Sequence, residues 1–278
     1  MPRRWTPSPT LKASFAVHGA VALAALVSPP HWPWALAAVA ANQALLTTAG
    51  LLPRAQLLGP TLTRLPAAAA ARGLVALTFD DGPDPEVTPQ VLDLLDEAGV
   101  RASFFCIGWR ARAHPALCRE IARRGHQVEN HGDAHANHFA LFGPRRMRAD
   151  IVAAQHTLSE LCGRTPRFFR ATAGLRNPFL DPVLAGLDLE LAAWTRRGFD
   201  TRCADPAIIH RRLCTRLAAG DILLLHDGHS RRDQHGQPVI LSVLPRLLAD
   251  LRAAGLQPLP LAQCIDQSLT QDIPPARS

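Results

Sequence analysis

The chain has 278 residues, of which 47% are hydrophobic and 19% are charged. This composition excludes a disordered chain and is sufficient for one large hydrophobic core with a smaller additional part. The net charge is +7, but every cationic residue except Lys12 is an arginine, and the arginines are spread along the whole chain. Because tyrosine is absent and only 5% of residues are aromatic, we predict no nucleic-acid partner.

Two apolar, alanine-rich runs occupy residues 13–27 and 34–52, and the SPPHWP stretch between them cannot be helical throughout. The second run is long enough to cross a bilayer. The first run is long enough only if it is extended back to Leu11. We therefore predict a membrane hairpin of two helices within residues 1–66, with tryptophans of the turn at the headgroup level. The alternatives are a signal peptide, an amphipathic surface anchor and a soluble helical hairpin.

The basic residues beside the hairpin predict its orientation. The turn carries no lysine or arginine, whereas basic residues lie before the first run and after the second: Arg3, Arg4, Lys12, Arg54, Arg64 and Arg72. The positive-inside rule then predicts an inner-membrane protein with both hairpin ends, and the following domain, in the cytoplasm. Six cysteines without a CxxC pair also favour a reducing compartment. A periplasmic domain stays an alternative.

After an alanine linker at 67–71, the remainder up to residue 278 alternates strand-like and helix-like patterns. The predicted strands are 74–79, 102–107, 127–130, 167–170, 189–194, 221–225 and 257–259. The predicted helices are 88–98, 115–124, 144–161, 177–187, 206–217 and 241–254. Seven strands separated by helices predict an α/β domain, with a parallel sheet that closes, or nearly closes, into a barrel.

Polar clusters follow several predicted strands, where parallel α/β folds build active sites. The first is TFDDGP at residues 78–83, in which adjacent carboxylates point in different directions. Asp81 can therefore bind a metal while Asp80 holds or accepts a proton. The alternative is an ordinary Asp-Gly-Pro turn.

The second cluster is HGDAH, with His131 and His135 four residues apart. On one side of a helical turn, both can reach one cation, and Asp81 would be the third ligand. Three protein ligands leave a position for water, as catalytic sites do. A chance histidine pair is the alternative.

Two further clusters lie at 170–174 and 194–200. Arg170 can pair with Asp80, and the backbone N–H groups after it can face an oxyanion; the alternative is a solvated arginine. Trp194 can form a pocket wall and Asp200 can orient an imidazole, with a core aromatic and a loop acid as the alternatives.

The last cluster ends an apolar strand in His226, which places an imidazole at the barrel mouth beside aliphatic side chains. This position suits an acid that protonates a leaving group next to a small apolar slot. A third histidine ligand or a structural histidine are the alternatives.

Together these motifs resemble the polysaccharide deacetylases of the NodB type, carbohydrate esterase family 4, over about residues 73–260. The resemblance implies a distorted barrel of seven β/α units preceded here by the hairpin. It also implies a divalent metal, usually Zn²⁺, and specific residue roles. Asp81, His131 and His135 would bind the metal, and Asp80, Arg170, Asp200 and His226 would be catalytic. Ala173, Trp194, Leu223 and Leu225 would contact the substrate.

The chain departs from the family in three motifs, of which the one with Trp194 and Asp200 is atypical as a whole. Thr172 and Ala173 stand where a proline and often an aromatic residue occur, and Gly132 replaces a serine or threonine. We expect an enzyme that hydrolyses an N-acyl, normally N-acetyl, group of an amino sugar in a polysaccharide or lipid-linked sugar, without an obligate protein partner. The alternatives are an amide hydrolase of a small non-sugar compound and a catalytically silent sugar-binding membrane protein.

Overall fold

The computed structural model describes residues 4–27 and 29–269. Arg3 and Ser28, which entered the predictions for the hairpin, lie outside these ranges.

The N-terminal part is a helical hairpin. Helix α1 (Pro9–Val27) and helix α2 (Trp32–Leu51) pack against each other through apolar side chains and two polar contacts. Asn42 donates a hydrogen bond to Ser14 Oγ (3.0 Å), and Gln43 contacts His18 (3.3 Å). By length and composition both helices can span a membrane, a test that a signal sequence also passes.

The base of the hairpin is joined to the following domain. Leu11, Leu46 and Ala49 form a small buried cluster with Leu58, against which Trp5 packs. The indole of Trp5 also donates a hydrogen bond to Asp181 (2.9 Å). Apolar packing and a polar contact therefore both join the hairpin to the following domain.

The second part is a curled parallel sheet. Its strands are β1 (Leu74–Asp80), β2 (Ser103–Cys106), β3 (Gln127–Asn130), β4 (Phe168–Phe169), β5 (Glu190–Leu191), β6 (Arg196–Arg197), β7 (Ile222–His226) and β8 (Gln257–Leu259). The order across the sheet is β5-β4-β3-β2-β1-β7-β6, and β8 pairs with the first half of β1. Every pairing between these strands is parallel, as predicted.

Helices pack against this sheet. They are α3 (Ala67–Ala71), α4 (Thr88–Glu97), α5 (Gly108–Ala113), α6 (Pro115–Arg123), α7 (Pro144–Cys162), α8 (Leu180–Ala185), α9 (Pro206–Cys214), α10 (Val239–Ala253) and α11 (Leu261–Leu269). The predicted linker at 67–71 is therefore a helix, as five consecutive alanines favour. Helices α5 and α11 and strand β6 were not predicted, and β6 escapes detection because it is two arginines without alternation.

A segment before α3 closes the gap between β5 and β6. The N–H of Leu62 donates to the carbonyl of Leu191, and the N–H of Ala193 donates to that of Leu62, both at 2.8 Å. Leu65 N–H donates to Gly220 O (2.9 Å). The sheet is thus nearly closed, with one side completed by the chain that leaves the hairpin.

Alternation along the strands produces two cores. Leu77 and Leu223 face the outer helices, whereas Ala76 and Leu224 face the barrel interior. Asp80 and His226, the last residues of β1 and β7, lie on the same strand faces as Ala76 and Leu224. Their polar side chains therefore face the barrel mouth.

Candidate active site

The two aspartates at the end of β1 diverge as predicted. Asp80 is the last residue of the strand and is 3% exposed, and Asp81 follows it with a φ of 74°. The left-handed conformation turns the second carboxylate away from the first and toward the loop after β3.

Both predicted histidines reach Asp81. Oδ1 of Asp81 lies 3.2 Å from His131 Nε2 and 2.9 Å from His135 Nε2. The prediction that the pair shares a helical turn is wrong, because Gly132 and His135 have φ values of 78° and 50° and the segment is a loop. The irregular backbone nevertheless brings the two rings to 4.9 Å between centroids.

Gly132 is required by its surroundings. Asp150 accepts hydrogen bonds from the N–H groups of Asp133 (3.1 Å) and Ala134 (3.0 Å), which holds the loop in place. A Cβ on Gly132 would lie 2.7 Å from Asp150 Oδ2. Gly132 stands where the family usually has serine or threonine. In this chain the Asp150 carboxylate occupies the space that such a side chain would take.

The site suits a divalent cation. His131 Nδ1 donates a hydrogen bond to the carbonyl of Arg170 (2.8 Å), so Nε2 is the ring nitrogen that faces Asp81. Burial alone would raise the pKa of Asp81, but hydrogen bonds from the neighbouring histidines lower it well below its usual range. The Asp81 carboxylate and the imidazoles beside it are ligand types of a catalytic zinc site. The ligand atoms of Asp81, His135 and His229 lie within 4.8 Å of one another.

Asp80 is held by a buried arginine. Arg170 is 1% exposed, and its Nη1 lies 2.5 Å from Asp80 Oδ1 and 2.9 Å from Thr78 Oγ1. Its Nη2 donates to Ala193 O (2.9 Å), and its guanidinium lies over the Phe105 ring (3.9 Å). The carboxylate therefore has a buried counter-charge and is fixed in orientation.

His226 has its own carboxylate. Asp200, which is fully buried, accepts from His226 Nδ1 through Oδ1 and from the His226 backbone N–H through Oδ2, each at 2.8 Å. Burial lowers the pKa of His226, but the Asp200 charge outweighs this effect and raises the pKa to about 9. Asp200 thus orients an imidazole, the role considered for it on sequence grounds.

These groups surround one small cavity. Its volume is about 150 Å³, and its walls include Asp80, Ala173, Trp194, Leu224 and His226. The prediction that Leu223 and Leu225 border the apolar slot is contradicted, because both face the outer core and Leu224 lines the cavity. Side chains alternate along β7, so the residue two before His226 shares its face.

Known proteins bear on this arrangement. The polysaccharide deacetylase family profile matches residues 67–192. The peptidoglycan-N-acetylglucosamine deacetylase of Bacillus cereus is 32% identical over 66% of this chain and 83% of its own length. The chitooligosaccharide deacetylase of Azorhizobium caulinodans is 32% identical over 67% and 92% of the two chains.

A solved structure agrees with these relatives. The family 4 carbohydrate esterase from Streptomyces lividans, in complex with acetate, superposes with a TM-score of 0.60 and 32% identity, covering 67% of this chain and 91% of that one. This chain is a polysaccharide deacetylase family member. It is accordingly a hydrolase of carbon–nitrogen bonds other than peptide bonds, on the NodB-type barrel.

The loop of the third motif, residues 170–174, packs against the end of the hairpin. Ala173 and Gly174 have φ values of 55° and 74°, and a Cβ on Gly174 would lie 2.6 Å from Pro53 Cβ and 2.7 Å from the Trp194 ring. Pro53 follows α2 almost directly. The segment leaving the hairpin therefore packs against the loop that lacks the family's proline.

His229, which the sequence motifs did not single out, also contacts the site. Arg110 donates to His229 Nε2 (3.0 Å), so Nδ1 carries the proton and donates to Asp81 Oδ2 (3.1 Å). The His229 ring also stacks on His135 at 5.9 Å. Its position three residues after His226 in the same loop was the available signal.

Proposed function

We propose that this chain removes the N-acetyl group from an acetylated amino sugar by a metal-assisted hydrolysis. The observation that supports it most is that Asp80 and His226, each paired with a buried partner, border the cavity that also contains Asp81, His131 and His135. The deacetylase names of the relatives point to the same reaction. Water adds to the amide carbon, the carbon–nitrogen bond breaks, and the products are acetate and a free amine.

Asp81, His131 and His135 would hold the ion, for which we propose Zn²⁺. When bound, the ion supplies Lewis-acid polarisation of the acetyl carbonyl and lowers the pKa of water. His229 donates to Oδ2 of Asp81 and thereby leaves Oδ1 for the ion. A ligand carboxylate fixed in this way is an expected feature of catalytic metal sites.

Asp80 would act as the general base. Its Oδ1 is occupied by the Arg170 guanidinium, which leaves Oδ2 to accept a proton from the attacking water. The guanidinium compensates the charge of the buried carboxylate. Arg170 contacts Asp80 directly, so its part in the reaction is to position and charge-balance the base.

His226 would protonate the departing amine. Asp200 accepts from Nδ1 and so directs the protonated Nε2 toward the reacting groups. An imidazolium is the species needed, and the raised pKa of His226 keeps it protonated at neutral pH.

The cavity wall fits a small acyl group. Leu224 and Trp194 provide an apolar surface beside the ionised groups, and about 150 Å³ suits a group of acetyl size. The backbone N–H of Ala173 would stabilise the oxyanion that develops on the carbonyl. The proposed substrate contacts are therefore Ala173, Trp194 and Leu224.

We further propose that residues 1–66 anchor a catalytic part of residues 67–278 in the inner membrane, on the cytoplasmic side. Helices α1 and α2 expose large apolar side chains, including Leu26 at 81% and Trp34 at 77%. Pro53 lies against Gly174 and near Trp194, and both of these residues line the cavity. The cavity wall is therefore in contact with the segment that follows α2. An enzyme placed in this way works at the membrane surface.

The charges of the cavity favour a lipid-linked sugar over a neutral polymer. Arg197 and Arg202 line it, and within the described part of the chain neither guanidinium has an ion-pair partner. Burial lowers the pKa of Arg197, which an anionic ligand would counteract. Two such cations suit the phosphate that joins a sugar to a lipid carrier.

The test is acetate release from three forms of N-acetylglucosamine: polyprenyl-diphosphate-linked in micelles, nucleotide-diphosphate-linked, and a chitin tetramer. We expect the lipid-linked form to react fastest, and Arg197→Gln to reduce that preference while sparing the tetramer. Faster reaction of the tetramer would refute the lipid-linked substrate. No acetate from any form, with metal added, would refute the deacetylase function itself.

The membrane side needs a separate measurement. C-terminal fusions to alkaline phosphatase and to a green fluorescent protein report the periplasm and the cytoplasm, respectively. We expect only the fluorescent fusion to be active. Phosphatase activity alone would place the domain in the periplasm and contradict the charge argument.

A further inference from the structure

A second cluster of metal-binding side chains lies between α9 and α10, outside the residues that line the catalytic cavity. His210 and Cys214 are one helical turn apart on α9, and Asp250 lies on the last turn of α10. Their ligand atoms all lie within 4.8 Å of one another. Each side chain is at least partly accessible, so an ion can reach them from solvent.

The three atoms converge on one point. Cys214 Sγ lies 3.5 Å from His210 Nε2, and Asp250 Oδ2 lies 2.9 Å from the same nitrogen. In a catalytic relay, the acid and the nucleophile contact different nitrogens of the imidazole. Here both contact Nε2, which is the arrangement of ligands around a common ion.

The distances match tetrahedral zinc. Zinc–sulfur and zinc–nitrogen bonds of about 2.3 and 2.0 Å at a tetrahedral angle place the two ligand atoms about 3.5 Å apart. The sulfur-to-nitrogen distance is 3.5 Å. The carboxylate oxygen needs to move outward by a few tenths of an ångström, and the Asp250 side chain is 49% exposed and has room to do so.

We propose that His210, Cys214 and Asp250 form a second, non-catalytic zinc site. One thiolate, one imidazole and one carboxylate are the donors that zinc uses, and the sulfur disfavours magnesium or calcium. A bound ion would join α9 to α10 and thus close the loop that contains β7 and His226. The site would stabilise this part of the barrel without touching the substrate.

Cobalt substitution separates the two sites. A thiolate ligand gives cobalt(II) a charge-transfer absorption in the near ultraviolet, and the catalytic ligands Asp81, His131 and His135 contain no sulfur. We expect this band in the untagged, full-length protein and its loss in Cys214→Ser. Cys203→Ser removes another partly buried thiol and serves as the matched control, which should retain the band.

Zinc content provides the second measurement. After gel filtration we expect about two zinc ions per chain, falling to about one in His210→Ala, Asp250→Asn or His135→Ala. His135→Ala should keep the cobalt–thiolate band, whereas His210→Ala and Asp250→Asn should weaken it. His156→Ala, on the exposed His156–Glu160 pair of α7, should change neither quantity.

Two results would overturn the second site. One is a wild-type protein without the cobalt–thiolate band although the catalytic site is loaded. The other is a band that persists in Cys214→Ser. Because neither measurement uses turnover, an inactive protein would not affect this test.

Discussion

Asp80 and His226 occupy paired positions at the ends of the adjacent parallel strands β1 and β7. Each has a buried partner of opposite charge, Arg170 for Asp80 and Asp200 for His226. The sheet register thus places the proposed proton acceptor beside the proposed proton donor.

Asp80→Asn should separate metal binding from turnover. The amide keeps the shape of the side chain but cannot accept the proton, while Asp81, His131 and His135 are unchanged. We expect acetate release to fall by about 10²–10⁴-fold with zinc content unaltered. The control is Asp93→Asn on the surface of α4, whose side chain is 60% exposed; wild-type rates in Asp80→Asn would disprove the assignment of the base.

Asp200→Asn should move the alkaline limit of activity. His226 acts as an acid only when protonated, and its pKa of about 9 predicts activity that declines as pH rises through this value. Without the carboxylate, burial is left to lower the pKa, so the decline should begin at lower pH. The measurement is kcat against pH for both proteins, and coincident profiles would show that Asp200 does not set this pKa.

The same pair predicts a pH-dependent stability. The folded-state pKa of His226 is raised from 6.5 to about 9, so protonation favours the folded state. This contribution is complete below pH 6.5 and is lost as pH rises through about 9. Urea unfolding across this range should show the wild type losing more stability than Asp200→Asn; parallel losses would contradict the linkage.

Arg170→Leu should destabilise the fold as well as abolish activity. The substitution leaves the buried Asp80 carboxylate without a counter-charge, and breaking such a pair costs about 3–5 kcal/mol. The free energy of unfolding, measured with urea, should fall by this amount. Adding Asp80→Asn removes the unpaired charge and should restore much of the loss; a double variant no more stable than Arg170→Leu would argue against the buried pair.

Gly132→Ser, which introduces the family's usual residue, should be harmful here. Its Cβ would meet Asp150 at 2.7 Å, and the φ of 78° is strained for a side chain. We expect a loss of about 1–3 kcal/mol and weaker zinc binding, because the loop positions both histidines. Gly143→Ser is the matched control, since a Cβ there has no neighbour within 4 Å; equal effects in the two variants would exclude this account.

Parts of the site could be predicted because their cause is local. Asp80 ends a buried strand, so its inward direction follows from strand parity, and His226 ends another. The same parity was misapplied to β7, where Leu224 rather than Leu223 or Leu225 lines the cavity. Counting back in steps of two from His226 would have found it.

Other parts depend on residues that are distant in the sequence. The reason that Gly132 replaces serine lies in Asp150, and the support of the third-motif loop lies in Pro53. His229 reaches Asp81 only because β1 and β7 are neighbours. No local pattern encodes these contacts.

From its sequence alone, this chain can be recognised as an apolar helical hairpin followed by a parallel α/β barrel with carboxylates and imidazoles after its strands. Helix and strand periodicity and strand-end motifs carry that information because they depend on near neighbours. Only the tertiary structure shows that Arg170 pairs with Asp80, that Asp200 raises the pKa of His226, and that the end of the hairpin lies beside the cavity. These relationships arise from the curl and register of the sheet, which brings together side chains that the chain itself keeps far apart.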